Sequence, residues 1–190
     1  MKNFKILVVA LVCISVLPGW GFSKDKKTLA QRRQEVVDMR DTVLADVYKE
    51  APGIKEMIDN AVGYAVFRSL GLNLFVVSSA NGPGLAHYNS NGKDVFMKMY
   101  SAGVGIGMGV KDFRLIFVFQ TEKALNNFIV EGWAASTQAD AAAKHADEGT
   151  AASLAIDVAP GVKLFQQTES GLALQATIQG TKYYLDKDLN

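Results

Sequence analysis

Basic side chains are concentrated just after an apolar leader, and they are the first candidates for a binding role. Five cations stand within ten positions, against the single acid Asp25: Lys24, Lys26, Lys27, Arg32 and Arg33. Each cation contributes about 1 kcal/mol of attraction near an anionic membrane surface, so the cluster predicts contact with phosphate headgroups. The alternative is an ordinary solvated N-terminus. The acids further along the segment favour that alternative, because the polar face is not uniformly basic.

A run of alternating glycines is the second candidate. It consists of Gly103, Gly105, Gly107 and Gly109. A dinucleotide fingerprint is excluded because Met108 stands where its third glycine is required, and no Gly-Lys-Ser/Thr follows as in a phosphate loop. Alternate residues of a strand project to one face, so the run predicts a strand with one bare face. Such a face suits tight packing or sharp sheet curvature, and a groove for an apolar ligand is the alternative.

No residues can be singled out as catalytic or metal-binding. The two histidines, His87 and His145, are accompanied only by scattered carboxylates, whereas metal sites need several converging ligands. Neither a G-x-S-x-G nor an H-E-x-x-H motif occurs. The sequence therefore predicts a protein without catalytic activity, cofactor or metal, and an enzyme of unrecognised type is the weakest alternative.

The first 23 residues have the features of an export signal. Lys2 and Lys5 precede an apolar run at 6–17, and small residues occupy the −3 and −1 positions of a cut before Lys24. The run is too short to cross a bilayer comfortably, although an uncleaved anchor is the alternative. We therefore predict an exported protein that is periplasmic or associated with the cell envelope.

Removal of the leader changes the chemistry of the remaining chain. It takes away the only cysteine, Cys13, and with it any disulfide or thiol chemistry. It also takes away two lysines, so the formal net charge falls from +1 to −1. A nearly neutral domain is not an obvious nucleic-acid binder. The length of 190 residues, with 49% hydrophobic and 21% charged residues, indicates one globular domain.

The chain after the leader begins with a predicted helical segment at 24–62. A capping-box pattern at 28–31 starts an amphipathic helix that extends to about residue 49. Pro52 is well placed to begin a second, short helix. A third helix is predicted near 121–131, with Thr121 as its N-cap and Gly132 at its end.

From residue 63 to residue 190 the sequence has the short apolar runs and turn signals of a β-rich region. The predicted strands are 64–67, 73–77, 94–100, 101–110, 113–119, 162–166, 172–179 and 181–185, and the predicted turns are 81–84 and 89–92. Residues 113–119 are apolar on both faces, so this strand should lie in the middle of the structure. The alanine-rich stretch 134–152 favours helix by propensity, but no apolar stripe confirms it.

Three blocks of this region resemble the SYLF domain family. They are 60–67 (NAVGYAVF), 101–125, which includes the glycine run and DFRLIFVFQTEKAL, and 170–180 (SGLALQATIQG). The resemblance covers roughly residues 59–190. It implies an α+β fold with a strongly curved antiparallel sheet or barrel-like core, and it implies that 134–144 is a strand.

The resemblance also implies a function, namely lipid binding without catalysis through an N-terminal amphipathic helix and a basic surface. Some eukaryotic members of the family also bind actin filaments. An exported protein does not meet actin in its own cell, so we carry over lipid binding alone. We therefore expect a non-catalytic envelope protein that binds anionic phospholipid through its basic N-terminal edge, with no nucleic-acid partner. The alternative is a structural or protein-interaction module of the envelope.

Overall fold

The computed structural model describes residues 27–74, 77–104, 109–134, 155–168 and 181–190. The predicted leader, the predicted strand 172–179 and the ambiguous stretch 135–152 lie outside these residues. Within them, three helices are α1 (Leu29–Glu50), α2 (Pro52–Asp59) and α3 (Glu122–Val130). The strands are β1 (Gly63–Leu74), β2 (Val77–Tyr88), β3 (Asp94–Val104), β4 (Gly109–Phe119), β5 (Trp133–Ala134), β6 (Ile156–Ala159), β7 (Val162–Thr168) and β8 (Thr181–Leu185).

All eight strands join one antiparallel sheet in the order β5-β8-β3-β2-β1-β4-β7-β6, which curls into a half-barrel. Ring contacts between distant strands demonstrate the curvature. The ring of Phe117 in β4 lies 5.5 Å from that of Trp133 in β5, although four strands separate β4 from β5 in the sheet. The ring of Phe67 in β1 lies 4.9 Å from that of Tyr183 in β8. The predicted α+β fold with a curved antiparallel sheet is confirmed.

The concave face of the sheet holds the larger core. Its central rings are contributed by β1, β4, β8 and α3: Phe67, Phe113, Phe117, Phe119, Phe128 and Tyr183. Many of these rings meet edge to face or tilted, with centroids 4.9–6.1 Å apart. These arrangements add about 0.5–1.5 kcal/mol per pair beyond area burial. Helix α3 covers this face with Leu125, Phe128 and Ile129.

The convex face is covered by α1 and α2. Val43 and Val47 of α1 pack with Ile54 of α2 against side chains of β1, β4 and β7: Tyr64, Val66, Ile116, Val118 and Phe165. Residues 113–119 of β4 are therefore buried on both faces, as the sequence predicts. Ile116 and Val118 face α1, whereas the phenylalanines and Leu115 at the odd-numbered positions fill the concave core. The capping box is also confirmed, since Thr28 and Gln31 exchange hydrogen bonds of 2.8 and 3.2 Å at the start of α1.

Two local predictions about turns and caps are also confirmed. The turn predicted at 89–92 joins β2 to β3, and Gly92 takes a φ of 69° there, which a side chain would disfavour. Thr121 is the N-cap of α3, because its side chain accepts a hydrogen bond from the backbone of Ala124. Gly132, with a φ of 72°, follows the end of that helix.

The predicted turn at 81–84 is wrong, because these residues lie inside β2. The strand predicted at 64–67 lies within β1, which is continuous from Gly63 to Leu74. The separate strand predicted at 73–77 is wrong, because residues 73 and 74 end β1 and residue 77 begins β2. The glycines of this segment are required because neighbouring atoms leave no space for a side chain. A Cβ at Gly84 would overlap the ring of Phe67, and one at Gly82 would overlap the carbonyl oxygen of Arg68.

The prediction that the alternating glycines form one strand is also wrong. Gly103 lies in β3 and pairs with Ser78 of β2, whereas Gly109 lies in β4 and pairs with Asn73 of β1. These two strands lie on opposite sides of the β1–β2 pair. The alternation of glycine and apolar residues continues from the end of one strand to the start of the next. The sequence pattern therefore could not show that the run is divided between two strands. Gly105 and Gly107 are outside the described residues, so the groove predicted along the four glycines stays a prediction.

The crowding at Gly84 yields a stability prediction. Replacement Gly84→Ala should lower the free energy of unfolding by about 1–3 kcal/mol, the usual cost of overpacking a core, because the new methyl displaces the Phe67 ring. Denaturant titration measures this change. The control is Gly53→Ala at an exposed site of α2, where the same substitution should stabilise by about 0.5–1 kcal/mol. Equal effects at both positions would contradict the packing argument.

Candidate functional site

The N-terminal half of α1 lies over the outer face of β2 and β3 and is flanked by two clefts. Cleft A, of about 530 Å³, opens toward β3 and β8 and is bordered by Arg32 and Tyr184. Cleft B, of about 630 Å³, opens toward α3 and is bordered by Arg33 and Val130. Leu189 of the C-terminal segment lines both clefts. Helix α1 therefore forms the ridge between two recesses.

A small apolar cluster seats this part of α1. Val36 packs with Leu85 of β2 and with Leu189, while Phe96 of β3 packs at its side. This cluster is smaller than the one beneath the C-terminal half of α1. The thinner apolar cover leaves space on both sides of the helix, which is why the clefts occur here.

The C-terminal residues 186–190 are hydrogen-bonded to β3 and form part of the lining of both clefts. The amide of Asp186 and the side-chain amide of Asn190 both donate to the carbonyl oxygen of Phe96, at 3.0 and 2.8 Å. The side-chain oxygen of Asn190 accepts from the Phe96 amide at 3.1 Å. Arg33 Nε donates to the carbonyl oxygen of Leu189 at 2.7 Å. These bonds tie the tail to both the sheet and α1.

The structure divides the predicted basic edge between the two clefts. Lys24 and Lys26 lie outside the described residues. Lys27 Nζ lies 2.5 Å from Glu35 Oε1, so that charge is already paired. Arg32 lines cleft A. Arg33 lines cleft B, with its guanidinium carbon 5.9 Å above the centroid of the Phe96 ring.

The acids of cleft A are bound to lysines. Lys98 Nζ contacts Asp186 at 2.9 Å and Asp188 at 3.2 Å, and Asp186 is only 3% exposed. The hydrogen bond to Asp186 raises the pKa of Lys98 above its usual value, so the lysine stays charged. Glu35, the remaining acid of the cleft, is paired with Lys27.

Arg32 is the cation of cleft A that is left for a ligand. It forms no ion pair with any residue in the part of the chain that the structure describes. Its guanidinium offers five donors in a planar fork that matches phosphate or carboxylate oxygens. The buried side chains of Val36 and Leu189 line the cleft beside it. This combination suits a ligand with an anionic head and an apolar body.

A polar cluster further along α1 was missed by the sequence reasoning. Arg40 Nη1 donates to both carboxylate oxygens of Asp94 at 3.2 Å, and His87 Nδ1 lies 2.6 Å from Asp94 Oδ1. The His87 ring lies 5.1 Å from that of Tyr64, whose pKa burial raises to about 12. The cluster joins α1 to β1, β2 and β3, so it anchors the helix. The predicted turn at 89–92 held one clue, because it places His87 opposite Asp94.

The described residues hold neither a group of metal ligands nor a membrane-spanning helix. In that part of the chain no three histidine or acidic side chains are grouped as metal ligands would be. None of the helices α1 to α3 combines the length and apolar character needed to span a bilayer. His145, the second histidine considered in the sequence, lies outside the described residues.

Comparison with known proteins gives one informative similarity. The chain is similar to Beta cell expansion factor A of Aeromonas veronii, with 34% identity over 163 residues. The match covers 86% of this chain and 60% of that protein, so the chain spans about three fifths of the length of the curated relative. No family model matches the chain.

Burial of Tyr64 predicts an alkaline loss of stability. Because its pKa is raised to about 12 in the folded protein, from about 10 in an unfolded chain, the unfolded state releases the proton first. The contribution of the protonated Tyr64 to the free energy of unfolding is complete below pH 10. It is lost between pH 10 and 12, by up to about 1.4 kcal/mol per pH unit. We expect Tyr64→Phe to flatten the decline of unfolding free energy over this range. Identical slopes for the variant and the wild type would refute the assignment.

Proposed function

We propose that this protein is a SYLF-domain protein of the cell envelope that binds anionic phospholipid without catalysis, through its basic N-terminal helical edge. The observation that carries the proposal is Arg32, a guanidinium without an ion pair among the described residues, at a cleft lined by buried apolar side chains. The resemblance of three sequence blocks to the SYLF family supports it, and the curved α+β fold is consistent with that resemblance.

The chemistry of cleft A matches the region where a phospholipid headgroup joins its acyl chains. An arginine binds a phosphate with two parallel hydrogen bonds, which are stronger than bonds between neutral groups. The volume of about 530 Å³ lies within the range of about 300–1,000 Å³ typical of small-ligand sites. The apolar wall beside Arg32 can cover the first methylene groups of a lipid.

The remaining cations of the N-terminal edge have a different role in the proposal. Lys24 and Lys26 add attraction that acts over about a Debye length, roughly 10 Å at 0.1 M salt, and Arg33 presents charge on the other side of α1. These groups increase the encounter rate with an anionic surface. Arg32 then provides the directional contact.

A protein-interaction module of the envelope is the second candidate, and cleft B favours it. Val130 at its border is 81% exposed, beside the partly buried Leu185. An apolar group exposed at the border of a recess is typical of a surface that a partner covers. In this reading, substitutions in cleft B would change partner binding and leave lipid binding unaffected.

Vesicle co-sedimentation tests the role of Arg32. The purified protein should bind vesicles of phosphatidylglycerol and phosphatidylcholine, and binding should weaken as salt rises. Because a hydrogen bond to a charged group contributes about 1.5–3 kcal/mol, Arg32→Gln should reduce affinity by about tenfold or more. Arg32→Lys should have an intermediate effect, since it keeps the charge and loses the paired geometry.

The matched control is Lys123→Gln on the exposed side of α3. It also removes one positive charge, but Lys123 does not line cleft A. It should reduce binding only slightly. If Arg32→Gln and Lys123→Gln have equal effects, binding depends on net charge alone and cleft A is not the site. If the wild type fails to bind at low salt, the lipid proposal is wrong.

A further inference from the structure

The outer face of β3 and β8 carries alternating lysines and tyrosines. The two strands are antiparallel neighbours in which Lys98 is opposite Tyr184, and Tyr100 is opposite Lys182. Met97, Met99 and Tyr183 between them point into the concave core, so these four side chains share the outer face. We call it the tyrosine–lysine face, defined by Lys98, Tyr100, Lys182 and Tyr184.

The two tyrosines of this face are unusually exposed. Tyr100 is 47% and Tyr184 is 44% exposed, and both border cleft A. Leu29, which is 52% exposed, lies one helical turn before Arg32 on the same side of α1. Exposed apolar groups gathered at a recess are typical of an interaction site. Because Tyr100 and Tyr184 border cleft A, the cleft and the tyrosine–lysine face form one continuous surface.

The charge on this surface favours an anionic partner. Lys98 contacts both Asp186 and Asp188, so this group of three carries a formal charge of −1. Lys182 is exposed and has no ion pair within the described part of the chain, which is also the condition of Arg32. These two cations outweigh the group of three, so the five side chains together keep a formal charge of +1.

The lysines, rather than the tyrosines, distinguish a membrane from a protein partner, because tyrosine is enriched at both kinds of interface. Tyrosine is enriched at the level of lipid headgroups, where its ring meets apolar chains and its hydroxyl meets water. Lysine can lay its methylene stem along the same apolar layer while its ammonium reaches phosphate. Lysine is instead depleted at protein–protein interfaces. Lysines alternating with tyrosines thus fit the headgroup layer of a bilayer.

We propose that the tyrosine–lysine face is a membrane-docking surface, on which Tyr100 and Tyr184 enter the headgroup layer of an anionic bilayer while Lys182 contacts phosphate. This inference rests on the proposed lipid binding, and it adds the sheet to the helical edge. It also orients the protein, because cleft A opens beside the docked face and Arg32 then meets the same leaflet.

A site-specific fluorescent label tests this orientation. Cys13 is the only cysteine of the chain, so a Cys13→Ser background permits labelling at Tyr184→Cys with an environment-sensitive dye. The control position is Ser90→Cys, in the exposed turn at the other end of β3. Tyr184 is opposite Lys98, four residues beyond Asp94, where β3 begins, so at about 3.3 Å per residue the label lies about 13 Å along the strand from the end that carries the control.

With phosphatidylglycerol–phosphatidylcholine vesicles, we expect a blue shift of the dye at position 184 and none at position 90. A quencher attached to lipid headgroups should likewise act at position 184 alone. Vesicle binding without any response at position 184 would overturn the docking surface and leave lipid binding through α1 intact. Failure of every variant to bind vesicles would overturn both proposals.

Unlabelled variants provide an independent measurement. Tyr100→Ala with Tyr184→Ala should weaken vesicle partitioning by about tenfold, and Lys182→Glu should weaken it without altering any packed residue. Circular dichroism checks that each variant is folded. Wild-type partitioning in both variants would refute the proposal. Loss of self-association in sedimentation experiments, with vesicle binding unchanged, would instead identify the face as an interface between two copies of the chain.

Discussion

A sheet that is apolar on both faces has to be covered on both, and the rest of this structure follows from that constraint. Strands β1 and β4 expose apolar side chains in both directions, so leaving either face in water would cost about 25 cal/mol for each Å² of apolar surface. Curling of the sheet buries most of the concave face against itself, since Phe117 and Tyr183 meet across the half-barrel. The convex face cannot be buried in this way, and α1 and α2 cover it instead. The glycines at 82 and 84 belong to the same solution, because they admit close backbone approach and a large ring where the sheet bends.

The dependence on α1 explains where binding surface becomes available. The C-terminal half of α1 crosses the doubly apolar strands and is fixed by Val43 and Val47, with an ion pair of 3.1 Å between Asp46 and Arg114. The N-terminal half extends over β2 and β3, whose outer faces are more polar. It is held there by Val36 and by the Arg40–Asp94 contact. A helix long enough to cover the central strands thus projects beyond them, and its projecting part creates recesses without weakening the core.

Local sequence signals predicted much of the fold, but they could not predict the site. The capping box at Thr28, the N-cap at Thr121 and the turn at Gly92 depend on neighbouring residues and were recognisable. The strand order was not, because apolar alternation specifies a face and leaves the partner strand open. The split of the glycine run between β3 and β4 is the clearest example. Arg32 was a candidate from composition. Its lack of an ion pair among the described residues depends on Lys27 binding Glu35 and Lys98 binding Asp186, contacts that require the assembled fold.

The same geometry separates the residues that specify the fold from those that are free to specify a ligand. Along β3 and β8 alternate side chains point in opposite directions. Met97, Met99 and Tyr183 are almost fully buried in the concave core, where even a methylene matters. Tyr100, Lys182 and Tyr184 are exposed, and most substitutions at such positions change stability by no more than about 0.5 kcal/mol. Two neighbouring exposed tyrosines are therefore not explained by folding, because smaller polar residues would serve the sheet equally well. Their presence beside a cleft that holds a cation with no described ion-pair partner is accounted for by the proposed membrane binding at this surface.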